Sequence, residues 1–406
     1  MLIQAFKKRE FKRGKIMRLV CNDIKLSDDN LSYPLYQISD NPAKILFVDI
    51  ETTGFSPKSS TLYLIGCAYF DGHMYHSRQW FSESNDDETS ILSSFIEFSK
   101  VFDTLVHFNG NKFDLPYLSE RCKAHNIDYT LDNFDSVDLY KKIRPYQKAL
   151  GLINCKQKTI ETFLGINRDD KYSGGELIEI YKQYIESPKD TAFDTLMLHN
   201  FDDIKGLIKI LPILWYSDFF DDIENCPAIH MRTDVAQSES SIPLPLKATK
   251  AYANYYKDID GNDKSELIIK ASLYFALPKP LTLMKDDFAC TIEGASATFK
   301  MPILDDELKY FYSNYKDYYY LPDEDQALHK SVASFVDRSH RVKCTAENCY
   351  TRKPGQFLRQ FDFVFTPFFK KNYKDKAIYF ELSDHLKQSR TALSLYACHI
   401  LNSMMF

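Results

Sequence analysis

Lys44-Ile45-Leu46-Phe47-Val48-Asp49-Ile50-Glu51-Thr52-Thr53-Gly54 is the stretch whose reading decides the fold. Its apolar, β-branched and aromatic run is entered from Asn41-Pro42 and predicts a short buried strand. Side chains two apart on a strand share a face, so Asp49 and Glu51 project together from its end. Carboxylates that close resist joint ionisation unless a cation lies between them, which is the electrostatics of a divalent-metal site. A solvated strand end carries such pairs as well. Thr52-Thr53-Gly54 then turns the chain, and Gly54 lets a substrate approach the backbone closely.

Outward from this strand, Leu62 to Phe81 reads as two more strands joined at Asp71-Gly72, a two-residue hairpin signal. Ile91, Leu92, Phe95, Ile96 and Phe98 recur at helical spacing within 89–102, and 104–108 returns to strand character. Helices are expected at 115–125, 156–164, 175–186 and 191–214, the last ending near Pro212. This order predicts an α/β domain over 41–215, with a mixed sheet whose first three strands are antiparallel and whose faces carry helices. Residues 1–40 read as a basic N-terminal arm and lead-in. Beyond 216 the texture changes, with a helix expected near 246–257, strand-like runs between 266 and 303, and helices near 324–337 and 384–404. A second, α+β domain over 216–406 follows from that pattern.

Two further segments carry chemistry. In Asn109-Gly-Asn-Lys-Phe113-Asp114-Leu-Pro116 a strand enters a glycine turn and Asp114 stands at the start of a helix, a position that aspartate also fills as a simple cap. In His199-Asn-Phe-Asp-Asp203 the histidine and the second aspartate are four apart on a helix and share a face. Asp202 points elsewhere, so Asp203 is the candidate. The His–Asp spacing also occurs as a plain surface pair.

Taken together and in this order, Asp49-Ile-Glu51-Thr52, Asn109 through Phe113-Asp114, and His199 through Asp203 resemble the three motifs of the DEDD (DnaQ-like) exonucleases. The four-residue step from His199 to Asp203 is that of the tyrosine-type branch, whereas the histidine-type branch usually has five. Gln157-Lys158-Thr-Ile-Glu161-x-Phe-Leu-Gly165, Gly175-Glu176-Leu and the HNxxD run are similar to bacterial YprB-like ribonuclease H-like proteins, which carry histidine at this spacing. The resemblance implies a ribonuclease H-like fold over about 40–215 and a 3′–5′ exonuclease using two divalent cations, Mg²⁺ or Mn²⁺. It further implies that Asp49 bridges both ions, that Glu51 and Asp203 complete the site that activates water, that Asp114 holds the other ion, and that His199 is the general base. Lys158 could reach a phosphate or be an ordinary solvated lysine. DNA is the implied substrate, in repair and with a helicase as possible partner. An RNA-processing exoribonuclease of the same fold and a catalytically silent nucleic-acid or protein-binding module are the alternatives.

Composition agrees with two folded domains. Apolar residues make up 44% and charged residues 26% of 406, which excludes disordered and fibrous classes. Nine scattered cysteines do not form a disulfide framework, and no long apolar run suggests a membrane span, so a cytoplasmic protein is expected. His329, His340, Cys344 and Cys349 lack the close spacing of a zinc site. The net charge of −5 hides two basic stretches: residues 1–18 hold seven Lys or Arg and residues 338–376 hold ten, the latter interleaved with aromatics. Each is either a solvated face or a surface that meets phosphate.

Overall fold

The computed structural model describes residues 17–26, 32–84, 87–168, 172, 174–227, 229–235 and 243–405. The chain forms two compact units, Met1–Ser217 and Asp218–Phe406. The basic run at 1–18 therefore lies outside the described residues except for Met17 and Arg18.

In the first unit the chain runs through β1 (Met17–Ile24), β2 (Ile45–Thr52), β3 (Leu62–Phe70), β4 (Tyr75–Ser82), α1 (Glu88–Ser99), β5 (Thr104–His107), α2 (Asp114–Ala124), β6 (Asp135–Asp138), α3 (Leu139–Ile143), α4 (Gln157–Leu164), α5 (Gly174–Glu186) and α6 (Asp190–Lys209). The six strands lie in the order β1-β4-β3-β2-β5-β6. β2, β3 and β4 are antiparallel, while β5 pairs parallel with β2 and β6 parallel with β5. This is the ribonuclease H-like mixed sheet that the resemblance implies. Strand β3 is apolar and buried over most of its length because both faces are covered. On one side Val48, Ile65, Trp80, Leu92 and Leu118 form a core under α1 and α2. On the other, Leu64, Phe81, Tyr181, Phe193 and Leu196 form a second core under α5 and α6.

Several expectations for this unit need correction. The hairpin after β3 has a four-residue connection, because Asp71 Oδ1 accepts the N–H groups of His73 and Met74 at 2.8 and 2.9 Å and builds a wider turn. The lead-in contributes an edge strand, β1, whose Arg18 forms an ion pair with Glu83 and lies over the Phe193 ring. α6 stops before Pro212, and after a single 3-10 turn α7 (Leu214–Glu224) follows.

The second unit is mainly β: β7 (Met231–Arg232), β8 (Leu246–Lys257), β9 (Asp263–Leu273), β10 (Leu281–Lys285), β11 (Phe288–Glu293), β12 (Ser296–Phe311), β13 (Tyr318–Leu321), β14 (Gln326–His329), α8 (Lys330–Ala333), β15 (Val342–Lys343), β16 (Tyr350–Gln360), β17 (Phe365–Thr366), β18 (Phe368–Phe369), β19 (Ile378–Glu381), α9 (Asp384–Gln388) and α10 (Arg390–Met405). The expected helix at 246–257 is strand β8. Its Ala and Lys residues favour a helix, but it pairs with β9 over its whole length, with one irregularity between Ala248 and Lys250, and tertiary pairing overrides propensity. The expected helix at 324–337 is instead the return strand of a tyrosine-rich hairpin, β13–β14, followed by the single turn of α8. The predicted helix at 384–404 is divided at Ser389 into α9 and α10. The inner sides of β8, β9 and β10 pack on α10, whose buried face includes Leu393, Tyr396 and Ile400.

Candidate active site

Asp49 and Glu51 leave the same side of β2 near its end, where a register shift between Glu51 and Thr52 bends the strand. The turn that follows is pinned: Thr52 and Ser60 hydroxyls donate to the Gly54 carbonyl at 2.9 and 3.0 Å, and Ser60 Oγ lies 2.8 Å from Tyr117 of α2. Phe55, at the tip, is 90% exposed and meets Phe113 edge to face.

Asp114 is the first residue of α2 and is buried. Its carboxyl accepts backbone N–H groups, its own and that of Ile50. The turn before it is held by Asp138, whose Oδ1 accepts the Asn109 N–H at 2.8 Å, with Asn109 at φ 61°. Buried His107 accepts the Gly110 N–H on Nδ1 and so donates from Nε2 to Ser136 Oγ at 2.9 Å.

α6 supplies the third arm. His199 Nε2 lies 3.1 Å from Asp203 Oδ2 and 3.6 Å from Glu51 Oε1. Ligand-capable atoms of Glu51, His199 and Asp203 fall within 4.8 Å of one another, the one such group of three or more among the described residues. Asp202 is buried beside this cluster and not part of it. Arg168 contacts Asp203 and lies 3.4 Å from Glu161 of α4.

Sequence reading missed the support of Asp49. Asn200 Nδ2 donates to Asp49 Oδ2 at 2.8 Å, and Gln79 Nε2 on β4 donates to Asn200 Oδ1 at 3.0 Å and to the Met197 carbonyl at 2.9 Å. The Gln79 bond fixes which end of the Asn200 amide faces the carboxylate. Gly66 is the register partner of Asp49 on β3, and a Cβ there would stand 2.0 Å from Asn200 Oδ1. α6 can lie this close to the sheet only over a glycine. Gly206 plays the same part for α4, where a Cβ would stand 2.3 Å from Glu161 Oε1. The neighbourhood of Asn200 to His199 in sequence is the one signal that could have pointed to it.

Electrostatics sets Asp49, Asp114 and Asp203 apart. Burial holds the Asp49 carboxyl well above the usual carboxylate range, and the charges of Asp203, Glu51 and Asp114 raise it further against the Asn200 bond. Asp114 is pushed up to about 7, chiefly by burial, with Asp138 and Asp203 adding to it. Burial also opposes ionisation of Asp203, but the bond from His199 and the charges of His199 and Arg168 outweigh it and hold this group below its ordinary value. The cluster fits hard divalent cations: oxygen donors converge, and burial together with the neighbouring carboxylates raises the proton affinity of two of its carboxyls, an electrostatic cost that a cation would offset.

Other candidates lie elsewhere. Lys158 Nζ donates to the Tyr172 carbonyl at 2.9 Å. His329 bonds Ser331 and His340 bonds Asp323, while Cys344 and Cys349 are close together. In the 338–376 stretch Arg352 pairs with Glu307, Lys353 with Glu381, Arg359 with Asp286, Lys371 with Asp306 and Lys374 with Glu347, and Phe357, Phe365 and Phe369 are buried. No described helix is long and apolar enough to cross a membrane.

Residues 46–215 match the family model described as RNase_H superfamily. Among solved structures, similarity extends to the family B DNA polymerase of the hyperthermophilic archaeon Pyrobaculum calidifontis, at 21% identity over 46% of this chain and 26% of that one, with a TM-score of 0.36. It extends also to the zinc-bound E. coli ExoI–ssDNA complex, at 10% identity over 57% of this chain and 55% of that one, with a TM-score of 0.29. The chain thus spans about a quarter of the polymerase and just over half of the exonuclease. No curated protein matches it. With its sheet order, its two cores and this match, the segment 46–215 is a ribonuclease H-like domain, followed in the chain by a second, β-rich unit.

Proposed function

We propose that the chain is a divalent-cation-dependent 3′–5′ exonuclease that hydrolyses phosphodiester bonds of DNA. The observation that supports this reading is the electrostatic coupling of Asp49 to Glu51, Asp114 and Asp203, with His199 3.1 Å from Asp203 and 3.6 Å from Glu51 in a half-buried site. The RNase_H superfamily match supports it. Polarity and the preference for DNA rest on the resemblance to DEDD and YprB-like proteins.

Asp49, Glu51, Asp114 and Asp203 would hold two cations, Mg²⁺ or Mn²⁺. Bound there, the cations supply Lewis-acid stabilisation of charge at phosphorus and acidify water. Asn200 keeps Asp49 turned toward the cluster. In its neutral form His199 takes the proton of the attacking water, and the Asp203 carboxylate beside Nε2 stabilises the imidazolium that results. Phe55 offers an exposed ring on which a base at the strand end stacks.

The test uses 3′- and 5′-labelled DNA and RNA oligonucleotides with Mn²⁺, Mg²⁺ or a chelator. The wild type should shorten DNA stepwise from the 3′ end only with cation present, and Asp49→Ala should not. Equal activity of the two proteins sinks the assignment, and preferential loss of RNA would return the exoribonuclease reading.

A further inference from the structure

The second unit has an open sheet face whose charge is unlike that of the ion-paired 338–376 stretch. On the side of β8, β9 and β12 turned away from α10, the strand register places Lys250 directly opposite Lys270 and Lys270 directly opposite Thr298. Lys247 faces Ser272 two residues along from Lys270, and Lys300 follows Thr298 by two. All four lysines are exposed. Directly opposed residues lie about 5 Å apart and diagonal neighbours about 7–8 Å, so the four ammonium groups share one band three strands wide.

Like charges opposite one another destabilise a sheet. On β16 and after β18, by contrast, Lys353 pairs with Glu381 and Lys371 with Asp306. Among the described residues none of Lys247, Lys250, Lys270 and Lys300 forms an ion pair. Two acids share the face: Glu266, opposite Pro302 and so diagonal to Lys300, accepts a bond from Asn254 at 2.9 Å, and Glu293 stands opposite Ser296 at the end of β11. Hydroxyls accompany the lysines, Thr249 on β8 and Thr298 on β12, with Thr291 and Thr282 continuing the row across β11 and β10, and the Tyr252 ring is 40% exposed with Lys250 Nζ 5.2 Å from its centre.

We propose that this face binds a single strand of nucleic acid, with the four lysines on successive phosphates and Tyr252 stacking on a base. Charge complementarity selects a polyanion. The hydroxyl-rich surface and the exposed aromatic ring favour a strand with unpaired bases over a lipid surface, which needs an inserting apolar face. The proposal rests on the exonuclease reading only in choosing nucleic acid as the polyanion.

The test is fluorescence anisotropy with a labelled 20-nucleotide dT strand and full-length Asp49→Ala protein, with and without Lys247→Ala, Lys250→Ala, Lys270→Ala and Lys300→Ala combined. The lysine substitutions should weaken binding by about 10- to 100-fold near 0.1 M salt and flatten the log–log salt dependence by roughly 2 to 3. Arginine at the same four positions should restore both. An unchanged affinity and salt slope in a variant with wild-type melting overturns the proposal. So does failure of the Asp49→Ala chain to bind the strand at all, or lysine-dependent binding of anionic vesicles in its place. Hydrolysis of a dinucleotide, whose single phosphate occupies only the carboxylate cluster, should be equal in the lysine variant and the wild type. Its absence in the wild type counts against the exonuclease reading alone.

Discussion

The group that reaches Asp49 is a neutral amide, Asn200 Nδ2, while three other carboxylates and burial raise its affinity for protons. Asn200 therefore orients the carboxylate without neutralising it, which keeps the full negative charge for a cation. Asn200→Ala should weaken Mn²⁺ binding by about 10- to 100-fold, measured by calorimetry. Asp114, at about 7, and Asp49, higher than usual, hold protons that a cation must displace. The sign follows: protonation competes below about pH 7, so Mn²⁺ affinity should strengthen as pH rises toward 7, by about tenfold per unit for each proton released. His199→Ala should slow hydrolysis by about 10²–10⁴-fold while leaving cation binding in place. A null effect on rate removes the base role.

At the scale of elements, two glycines let helices close on the site. A Cβ at Gly66 would also stand 2.2 Å from Ile204 Cδ1, so Gly66→Ala forces α6 outward. The expected cost is about 1–3 kcal/mol of stability, read by chemical denaturation, together with a fall in cation affinity because Asn200 moves with the helix. A stability loss with unchanged Mn²⁺ binding would separate packing from orientation. Strand β2 and helices α1, α2, α5 and α6 were legible because their apolar periodicity is local and strong. Strand β8 was not, because its Lys- and Ala-rich sequence has no strong strand preference and its conformation is set by β9, a separate segment.

For the molecule as a whole, two compact units with separate cores predict two cooperative unfolding steps. The proposed cation site lies within the first unit, so calorimetry should show Mn²⁺ raising one transition and leaving the other in place. The second responds to pH through His399. Burial holds that imidazole down to about 4, and its Nε2 accepts the Phe361 N–H at 2.9 Å. A depressed base contributes stability that is full above its unfolded pKa of about 6.5 and is lost as pH falls through 4. The second transition should accordingly drop between pH 6.5 and 4, and His399→Gln, whose amide oxygen can still accept the N–H, should lessen the drop. Equal slopes for the two proteins rule out His399 as the cause. The sequence by itself determined the spacing of Asp49 and Glu51, the shared helix face of His199 and Asp203, and the strand–helix order from β2 through α2, because strand and helix periods are local rules, whereas β6 and α3 were not legible in it. Only the tertiary structure decided that Gln79 and Asn200 hold Asp49, that Asp138 holds the turn before Asp114, and that four lysines from three strands share one face. Those arrangements depend on which distant segments pair and in what register, and no local period encodes that.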